Sequence, residues 1–142
     1  MTLDATTARP HPVPTPETEH FWEGTRQDEL RLQKCSDPTC ATTYFPPRPF
    51  CPSCGSRDVQ VFPASGRATL ASYVISHLPA PGFEPPYAIA LVDLEEGPRM
   101  MTSIVEAPPT PEALELDMPL TVRFLRLSDA ISLPVFAPEV TR

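Results

Sequence analysis

The sequence predicts a mainly β protein with a helical segment first, then a small cysteine-bearing ribbon, then a five-stranded barrel. Three observations support this fold class. All four cysteines lie within residues 35–54. Residues that favour a helix precede them, and five short segments rich in β-branched and aromatic residues follow them. The 142 residues have room for one domain or two very small ones.

The helical segment is predicted at residues 15–29, TPETEHFWEGTRQDE. Thr15 is a suitable N-cap, and the proline after it suits the first helical position. We expect Gly24 to end this helix and Thr25 to cap a second short one. Residues 1–14 contain three prolines and no apolar periodicity, so they are predicted to form a flexible tail.

The chain shows no sign of a membrane segment or a secretory signal. Its first residues, MTLDATTARPHPVP, lack an apolar core, and no apolar run approaches the roughly 20 residues of a membrane span. A cytoplasmic protein without membrane contact is therefore expected.

The cysteines form two close pairs, Cys35-x4-Cys40 and Cys51-x2-Cys54. In the cytoplasm, clustered cysteines bind metal more often than they form disulfides. Two turns that each present two thiolates can surround one tetrahedral ion at about 2.3 Å. The pattern predicts a structural, rubredoxin-like zinc site, with iron or unmetallated thiols as alternatives. The ribbon is expected to span residues 30–62, because so small a unit needs the folding free energy that metal binding supplies.

The barrel is predicted at residues 63–142. Several of its five expected strands alternate apolar and polar residues, and the sequence DLEEGPR between the second and third is typical of a hairpin turn. Five short strands with the longest link after the third match the Greek-key barrel called the OB-fold. The expected strands are Gly66–His77, Pro86–Leu94, Pro98–Glu106, Leu120–Leu127 and Ile131–Phe136.

Charge argues against nucleic acid, although ribbons and OB-folds both serve single-stranded nucleic-acid binding. The net charge is −7, and residues 67–142 hold 5 basic and 10 acidic side chains. The expected reading strands carry Asp93, Glu95 and Glu96 against Arg99 alone. Phosphate binding favours a basic groove with stacking aromatics. A nucleic-acid module therefore stays an alternative only.

The residues do not indicate a catalytic centre. Lys34 is the single lysine and neighbours Cys35, and four zinc-bound thiols leave no cysteine as a nucleophile. His77 alone among the three histidines ends an expected strand. We therefore expect no enzymatic activity from this chain on its own.

Several motifs carry a resemblance that extends from about Pro14 to Pro138. They include FWEG, FPPR before CPSCGS, SGRATLASYVISH, PYAIALVDLEEGPRMMT and MPLTVRF. In these motifs the chain resembles the small zinc-ribbon/OB-fold proteins associated with acyl-CoA metabolism, a family long labelled only as a domain of unknown function. The family usually has two residues between its first two cysteines, whereas four separate Cys35 from Cys40 here. Cys35 is therefore the least regular of the four ligands.

The resemblance implies a role as well as a fold. Members of the family accompany thiolase-fold enzymes, either thiolases or the related aldolases of steroid side-chain degradation. The implied role is a non-catalytic subunit of a hetero-oligomer that stabilises the complex and helps accommodate acyl-CoA. A purely structural scaffold without ligand contact remains an alternative.

Two sets of residues are candidates for these contacts. Arginines can pair with CoA phosphates, and aromatic rings can flank a pantetheine or acyl arm. Apolar side chains in the proline-rich loops suit a protein interface, since proline loses little entropy on ordering. The acyl-CoA candidates are Arg48, His77, Phe83, Tyr87 and Arg99; the interface candidates are Phe21, Trp22, Phe45, Phe50, Phe83 and Tyr87.

Overall fold

The computed structural model describes residues 9–139. Within this range the chain forms one helix, α1 (Glu19–Arg26), and two antiparallel sheets. The ribbon sheet has the strand order β2-β1-β3 and contains β1 (Arg31–Cys35), β2 (Thr43–Tyr44) and β3 (Val59–Pro63). The barrel sheet has the order β6-β5-β4-β7-β8 and contains β4 (Arg67–Ser76), β5 (Tyr87–Leu94), β6 (Arg99–Ser103), β7 (Pro119–Arg126) and β8 (Ser132–Pro138). No helix in the described range is long and apolar enough to cross a membrane.

The helix begins later than the sequence pattern indicated. Thr18, not Thr15, is the N-cap. The carbonyl of Thr15 accepts a hydrogen bond from the Thr18 N–H at 3.0 Å, so Pro16 lies inside a turn that precedes the helix. Proline is favoured at the second position of such a turn as well as at the start of a helix. The local sequence is therefore compatible with either a turn or the first turn of a helix at Pro16, and the chain adopts the turn.

The helix also runs through Gly24 to Arg26, and Asp28, which sequence reasoning passed over, forms part of its C-terminal cap. Asp28 has φ +58, and the Glu29 N–H donates to the Gly24 carbonyl at 2.8 Å, the pattern of a Schellman cap. A Cβ on Gly24 would lie 2.7 Å from the Arg31 side chain, so this glycine allows β1 to pack closely on α1. Thr25 is fully buried and donates to the Trp22 carbonyl at 2.9 Å, so it caps no second helix.

The five barrel strands form at the predicted segments and give an OB-like barrel, as the sequence predicted. β4 pairs with both β5 and β7, and the outer strands β6 and β8 approach each other at one end of the sheet. There a parallel bridge joins Ile104 to Phe136, and the Val105 N–H donates to the Phe136 carbonyl at 2.8 Å. This bridge nearly closes the barrel.

One hydrophobic core joins the barrel to the helix and the ribbon. On β5 every second residue is buried, which places Ala88, Ala90, Val92 and Leu94 inside the barrel. The same core includes Phe21 of α1 and Leu32 of β1. The cysteine end of the ribbon has its own small cluster around Cys35, Tyr44 and Cys51. The zinc ribbon is thus attached through the first residues of β1 to the core that holds the barrel together.

Replacement of Gly66 by alanine is expected to destabilise the barrel by about 1–3 kcal/mol. Gly66 has φ +83 at the start of β4, and an added Cβ would lie 2.7 Å from Cγ1 of Val122. Thermal unfolding of zinc-loaded protein measures the loss. Gly55→Ala is the matched control, since Gly55 has a similar φ of +79 but no atom within 4 Å of an added Cβ. Equal losses in the two variants would contradict a steric contribution at Gly66.

Candidate metal centre and apolar groove

The four cysteines meet at one end of the ribbon. Their Sγ atoms all lie within 4.8 Å of one another. The distance is 3.6 Å between Cys35 and Cys54 and 3.7 Å between Cys40 and Cys51. Four sulfurs at 2.3 Å from a tetrahedral zinc ion would be about 3.8 Å apart. The residues present therefore fit a closed, four-thiolate structural zinc site, in which Cys35 takes part despite its irregular spacing.

Each pair of cysteines lies on a tight turn that ends in a residue with positive φ. Ala41 follows Cys40 with φ +51, and Gly55 follows Cys54 with φ +79. The longer first turn is closed by Asp37, whose Oδ1 accepts hydrogen bonds from the backbone N–H and the hydroxyl of Thr39 at 2.9 and 2.8 Å. This side-chain turn accommodates the two extra residues, which explains why a four-residue spacing still directs both sulfurs inward.

Electrostatics favours a cation among these thiols. The Thr42 hydroxyl lies 3.2 Å from Cys40 Sγ, and hydrogen bonds from Thr42 lower the pKa of Cys40 to about 7. At Cys35 a backbone hydrogen bond from Asp37 acts in the same direction, but burial and the neighbouring thiols outweigh it and raise the pKa to about 12. Four thiolates so close together repel one another, and a divalent cation removes that cost.

A shell of polar contacts holds the loop that joins the two cysteine turns. The backbone N–H of Arg48 donates to Oε1 of the buried Gln33 at 2.8 Å. The hydroxyl of the buried Tyr44 donates to the Arg48 carbonyl at 3.0 Å. These two bonds connect the loop to β1 and β2, so the position of the FPPR segment depends on the folded ribbon.

A second feature is an apolar groove of about 640 Å³ at the junction of helix, ribbon and barrel. It lies along the β6–β8 seam, since Met101 and Leu133 are both in its lining. Its floor includes Phe21, whose ring centroid is 5.4 Å from that of Phe45 and 5.0 Å from that of Trp22. Its lining is Arg9, Thr18, Phe21, Trp22, Phe45, Pro46, Pro47, Phe83, Tyr87, Ile89, Met100, Met101, Thr102, Ser103, Leu133, Pro134 and Val135.

Arg9 is the one charged residue among those that line the groove. Its guanidinium carbon is 4.0 Å from the centroid of the Phe83 ring, and its Nη2 donates to the Gly82 carbonyl at 3.1 Å. The Phe83 ring in turn lies 5.0 Å from that of Tyr87. Burial lowers the pKa of Arg9, since the groove offers its charge little water. The segment predicted as a flexible tail thus packs, at Arg9, on the proline-rich loop; residues 1–8 lie outside the described range.

The structure brings some candidate residues together and separates the others. Five of the six interface candidates line the groove: Phe21, Trp22, Phe45, Phe83 and Tyr87. The sixth, Phe50, is 41% exposed and lies outside the groove lining. Three acyl-CoA candidates also lie elsewhere. Arg48 and His77 are exposed in loops, and the side chain of Arg99 forms an ion pair with Asp93 at 2.7 Å.

Sequence reasoning missed much of the groove wall. Met101 is 69% exposed although it lies in the middle of a strand. The adjacent pair Met100–Met101 was the available signal, because two neighbouring apolar residues on a half-buried strand must place one on the outer face. For Arg9 the sequence held no signal, since a lone arginine in a proline-rich segment predicts no contact.

Two family models match the chain. The model of the ChsH2 rubredoxin-like zinc ribbon domain matches residues 22–60, and that of the ChsH2 C-terminal OB-fold domain matches residues 62–125. A solved structure described as an Ltp2-ChsH2(DUF35) aldolase contains a chain with 37% identity and a TM-score of 0.80. The match covers 91% of this chain and 99% of that one.

The chain belongs to the DUF35 family. Membership confirms the predicted architecture of zinc ribbon and OB-fold, and with it the structural zinc, which the four clustered cysteines fit. The family resemblance drawn from FPPR, CPSCGS and LVDLEEGPR is confirmed as well.

Several relatives are subunits of larger enzymes. The probable enoyl-CoA hydratase α subunit of Thermomonospora curvata is 38% identical over 133 residues, 93% of this chain and 40% of that protein. The 3-oxo-4,17-pregnadiene-20-carboxyl-CoA hydratase α subunit of Mycobacterium tuberculosis is 34% identical, over 83% of this chain and 37% of that protein. The benzoylsuccinyl-CoA thiolase subunit BbsA of Thauera aromatica is 32% identical, over 58% of this chain and 56% of that protein. The chain thus spans about two fifths of the length of the two hydratase subunits.

Proposed function

We propose that this DUF35 chain is a non-catalytic accessory subunit of a thiolase-fold enzyme that acts on acyl-CoA thioesters. A steroid side-chain aldolase is the specific candidate. The observation that carries the proposal is the match over 99% of a ChsH2(DUF35) chain in a structure described as an aldolase. The relatives described as hydratase and thiolase subunits support the same class, since the name of each refers to a CoA thioester.

The chemistry of the described residues is consistent with a non-catalytic role. The four thiols form the metal cluster, and that cluster has no open ligand position. The groove is lined by apolar and aromatic side chains, hydroxyls and a single arginine, with no carboxylate or imidazole among its lining residues. Such a groove binds an apolar group well but offers no general base to activate a substrate. We assign the reaction itself to the enzyme partner.

The groove is the proposed contact region for that partner and its ligand. Phe83 and Tyr87 belong to both candidate sets and lie together on the proline-rich loop. We propose that this loop forms the interface with the enzyme at the place where the acyl group is accommodated. A purely structural scaffold is the alternative; it predicts that the complex and the enzyme alone bind the same CoA thioesters equally well.

The charges of the barrel surface do not favour nucleic acid. The barrel arginines Arg67, Arg99 and Arg123 each pair with a carboxylate, at 2.7 to 3.1 Å. Paired arginines on an acidic chain leave little positive potential for a phosphate backbone. No observation therefore supports the nucleic-acid alternative over the enzyme subunit.

Copurification tests the proposed function directly. The tagged full-length chain is expressed in its native host, and mass spectrometry identifies the untagged proteins that it retains. We expect a thiolase-fold enzyme in a stable hetero-oligomer and no turnover of CoA thioesters by the zinc-loaded chain alone. Robust turnover by the isolated chain, or the absence of any thiolase-fold protein from the retained fraction, would overturn the proposal.

Replacement of Phe83 by aspartate is expected to weaken binding of this enzyme by about tenfold or more, as loss of a buried aromatic anchor does at protein interfaces. The aspartate also places a charge where the partner must exclude water. Affinity is measured by surface plasmon resonance on zinc-loaded protein. Glu84→Ala, at the exposed neighbouring position, is the control and is expected to bind normally. Native affinity of the folded Phe83→Asp variant would place the interface elsewhere.

A further inference from the structure

The groove holds one positive charge among apolar side chains. Arg9 carries it, and no carboxylate is among the lining residues. Within the described range no acidic side chain forms an ion pair with the Arg9 guanidinium. The pKa of Arg9 is lowered by burial alone. The charge is therefore partly removed from water without a counter-charge, which costs free energy unless a ligand supplies an anion.

The proline-rich loop fixes the position of this guanidinium. Its carbon lies 4.0 Å from the centroid of the Phe83 ring, and its Nη2 donates to the Gly82 carbonyl at 3.1 Å. Gly82 has φ +80, and a Cβ there would lie 2.6 Å from Cα of Arg9, so a side chain at this position would displace the arginine. The buried Nε has no hydrogen-bond partner. A guanidinium has five N–H donors in a planar fork that matches a carboxylate, so donors remain for a ligand.

The threonine hydroxyls of the groove are already engaged within the chain. The Thr102 hydroxyl donates to the Pro134 carbonyl at 3.1 Å, and the Thr18 hydroxyl lies 3.3 Å from the Thr15 carbonyl, to which it donates. Recognition of a charged ligand group therefore falls to the arginine.

The rest of the groove suits an apolar body. Its wall includes Met100, Leu133 and Met101, the last of which is 69% exposed. The volume of about 640 Å³ is that of sites that enclose drug-sized molecules. One guanidinium matches one singly charged group, whereas the phosphates of CoA carry several charges and need more cations than this lining holds.

We propose that the groove binds a carboxylate attached to an apolar body, with the carboxylate on Arg9 and the body along Met101 and Leu133. In the enzyme complex this ligand is the acyl group of a CoA thioester that carries a second, free carboxylate. On this last point the inference rests on the proposed function, because the thioester belongs to the reaction of the enzyme partner.

Trp22 reports binding, because it is the only tryptophan of the chain and lines the groove. Its fluorescence is titrated in the zinc-loaded, full-length chain at neutral pH with decanoate and with 1-decanol, which share one apolar chain and differ in charge. We expect decanoate to bind about tenfold more tightly, the usual effect of a hydrogen bond to a charged group.

Three variants locate the two parts of the ligand. Arg9→Gln should bring the affinities for decanoate and decanol within about threefold of each other and leave that for decanol unchanged. Arg57→Gln is the matched control, because it removes the same charge from an exposed ribbon position outside the groove lining. It should keep the preference for decanoate. Met101→Ser should weaken both ligands equally, by about threefold, since it removes apolar contact only.

Three results would overturn the carboxylate site. They are the absence of binding, a preference for decanoate that survives Arg9→Gln, and an equal loss of both ligands in Arg9→Gln. The last result would show that Arg9 only packs the N-terminal segment on the proline-rich loop.

The complex with the retained enzyme tests the assignment to an acyl group. There the CoA thioester of decanedioic acid, with one free carboxylate, should bind about tenfold more tightly than decanoyl-CoA. A complex that contains Arg9→Gln should bind the two alike. Equal affinities in the wild-type complex would overturn the assignment and leave the accessory role intact. If no thiolase-fold enzyme is retained, the proposed function fails, whereas the decanoate titration still decides whether the groove binds a carboxylate.

Discussion

Replacement of Cys51 by alanine is expected to release the zinc and unfold the ribbon. Cys51 is 1% exposed, its Sγ lies 3.7 Å from that of Cys40, and it accepts a hydrogen bond from the Ser53 N–H at 3.4 Å. Structural zinc contributes apparent free energies of about 10–16 kcal/mol in small sites of this type. Elemental analysis measures the zinc, and limited proteolysis detects the unfolded ribbon between Tyr44 and Val59.

Ser53→Ala is the matched control for this variant, because it keeps the N–H that donates to Cys51 and alters only an exposed hydroxyl. It should retain one zinc ion per chain. Since Leu32 of β1 belongs to the barrel core, we also expect zinc loss to lower the thermal midpoint of the barrel. A Cys51→Ala protein with full zinc content and a protease-resistant ribbon would contradict the assignment of Cys51 as a ligand.

Replacement of Phe136 by alanine is expected to lower the free energy of unfolding by about 3–5 kcal/mol, the usual cost of removing a fully buried phenylalanine. Phe136 is 0% exposed and lies where β8 bridges to Ile104 and closes the barrel. The cavity would form under the end of the seam, where few neighbours are free to collapse into it. Urea denaturation of the zinc-loaded protein measures the change.

Val74→Ala serves as the comparison for the Phe136 variant. Val74 lies on β4 but is 59% exposed, so its truncation should cost only about 0.5 kcal/mol or less. A loss below about 1 kcal/mol for Phe136→Ala would show that the seam repacks easily and that its closure contributes little to stability.

The sequence by itself determined the features that depend on neighbours in the chain. The alternation along β5 predicts a half-buried strand, because side chains two residues apart share one face of a sheet. The CPSCG turn predicts a metal half-site, because both sulfurs and the glycine with positive φ lie within five residues. Each of these signals is local, and each reappears in the structure close to its predicted position.

Local sequence patterns were insufficient to place the start of α1, because two local conformations suit the same residues. Pro16 suits a turn as well as the first position of a helix, and Thr15 or Thr18 can cap. The packing of Phe21 on Phe45 and the close approach of Arg31 to Gly24 set where α1 starts and how far it runs. These are contacts between segments that are distant in the sequence, and the helix or turn propensity of a short stretch carries no information about them.

Only the tertiary structure decided the groove. Arg9, Phe45, Phe83, Met101 and Pro134 come from five distant parts of the chain, and they meet because the helix and the ribbon fold back over the barrel seam. Pro134 faces β6 without an N–H to donate, and its carbonyl accepts a hydrogen bond from the Thr102 hydroxyl at 3.1 Å. A proline in a strand is visible in the sequence, but the strand that it faces is known only once the barrel has formed.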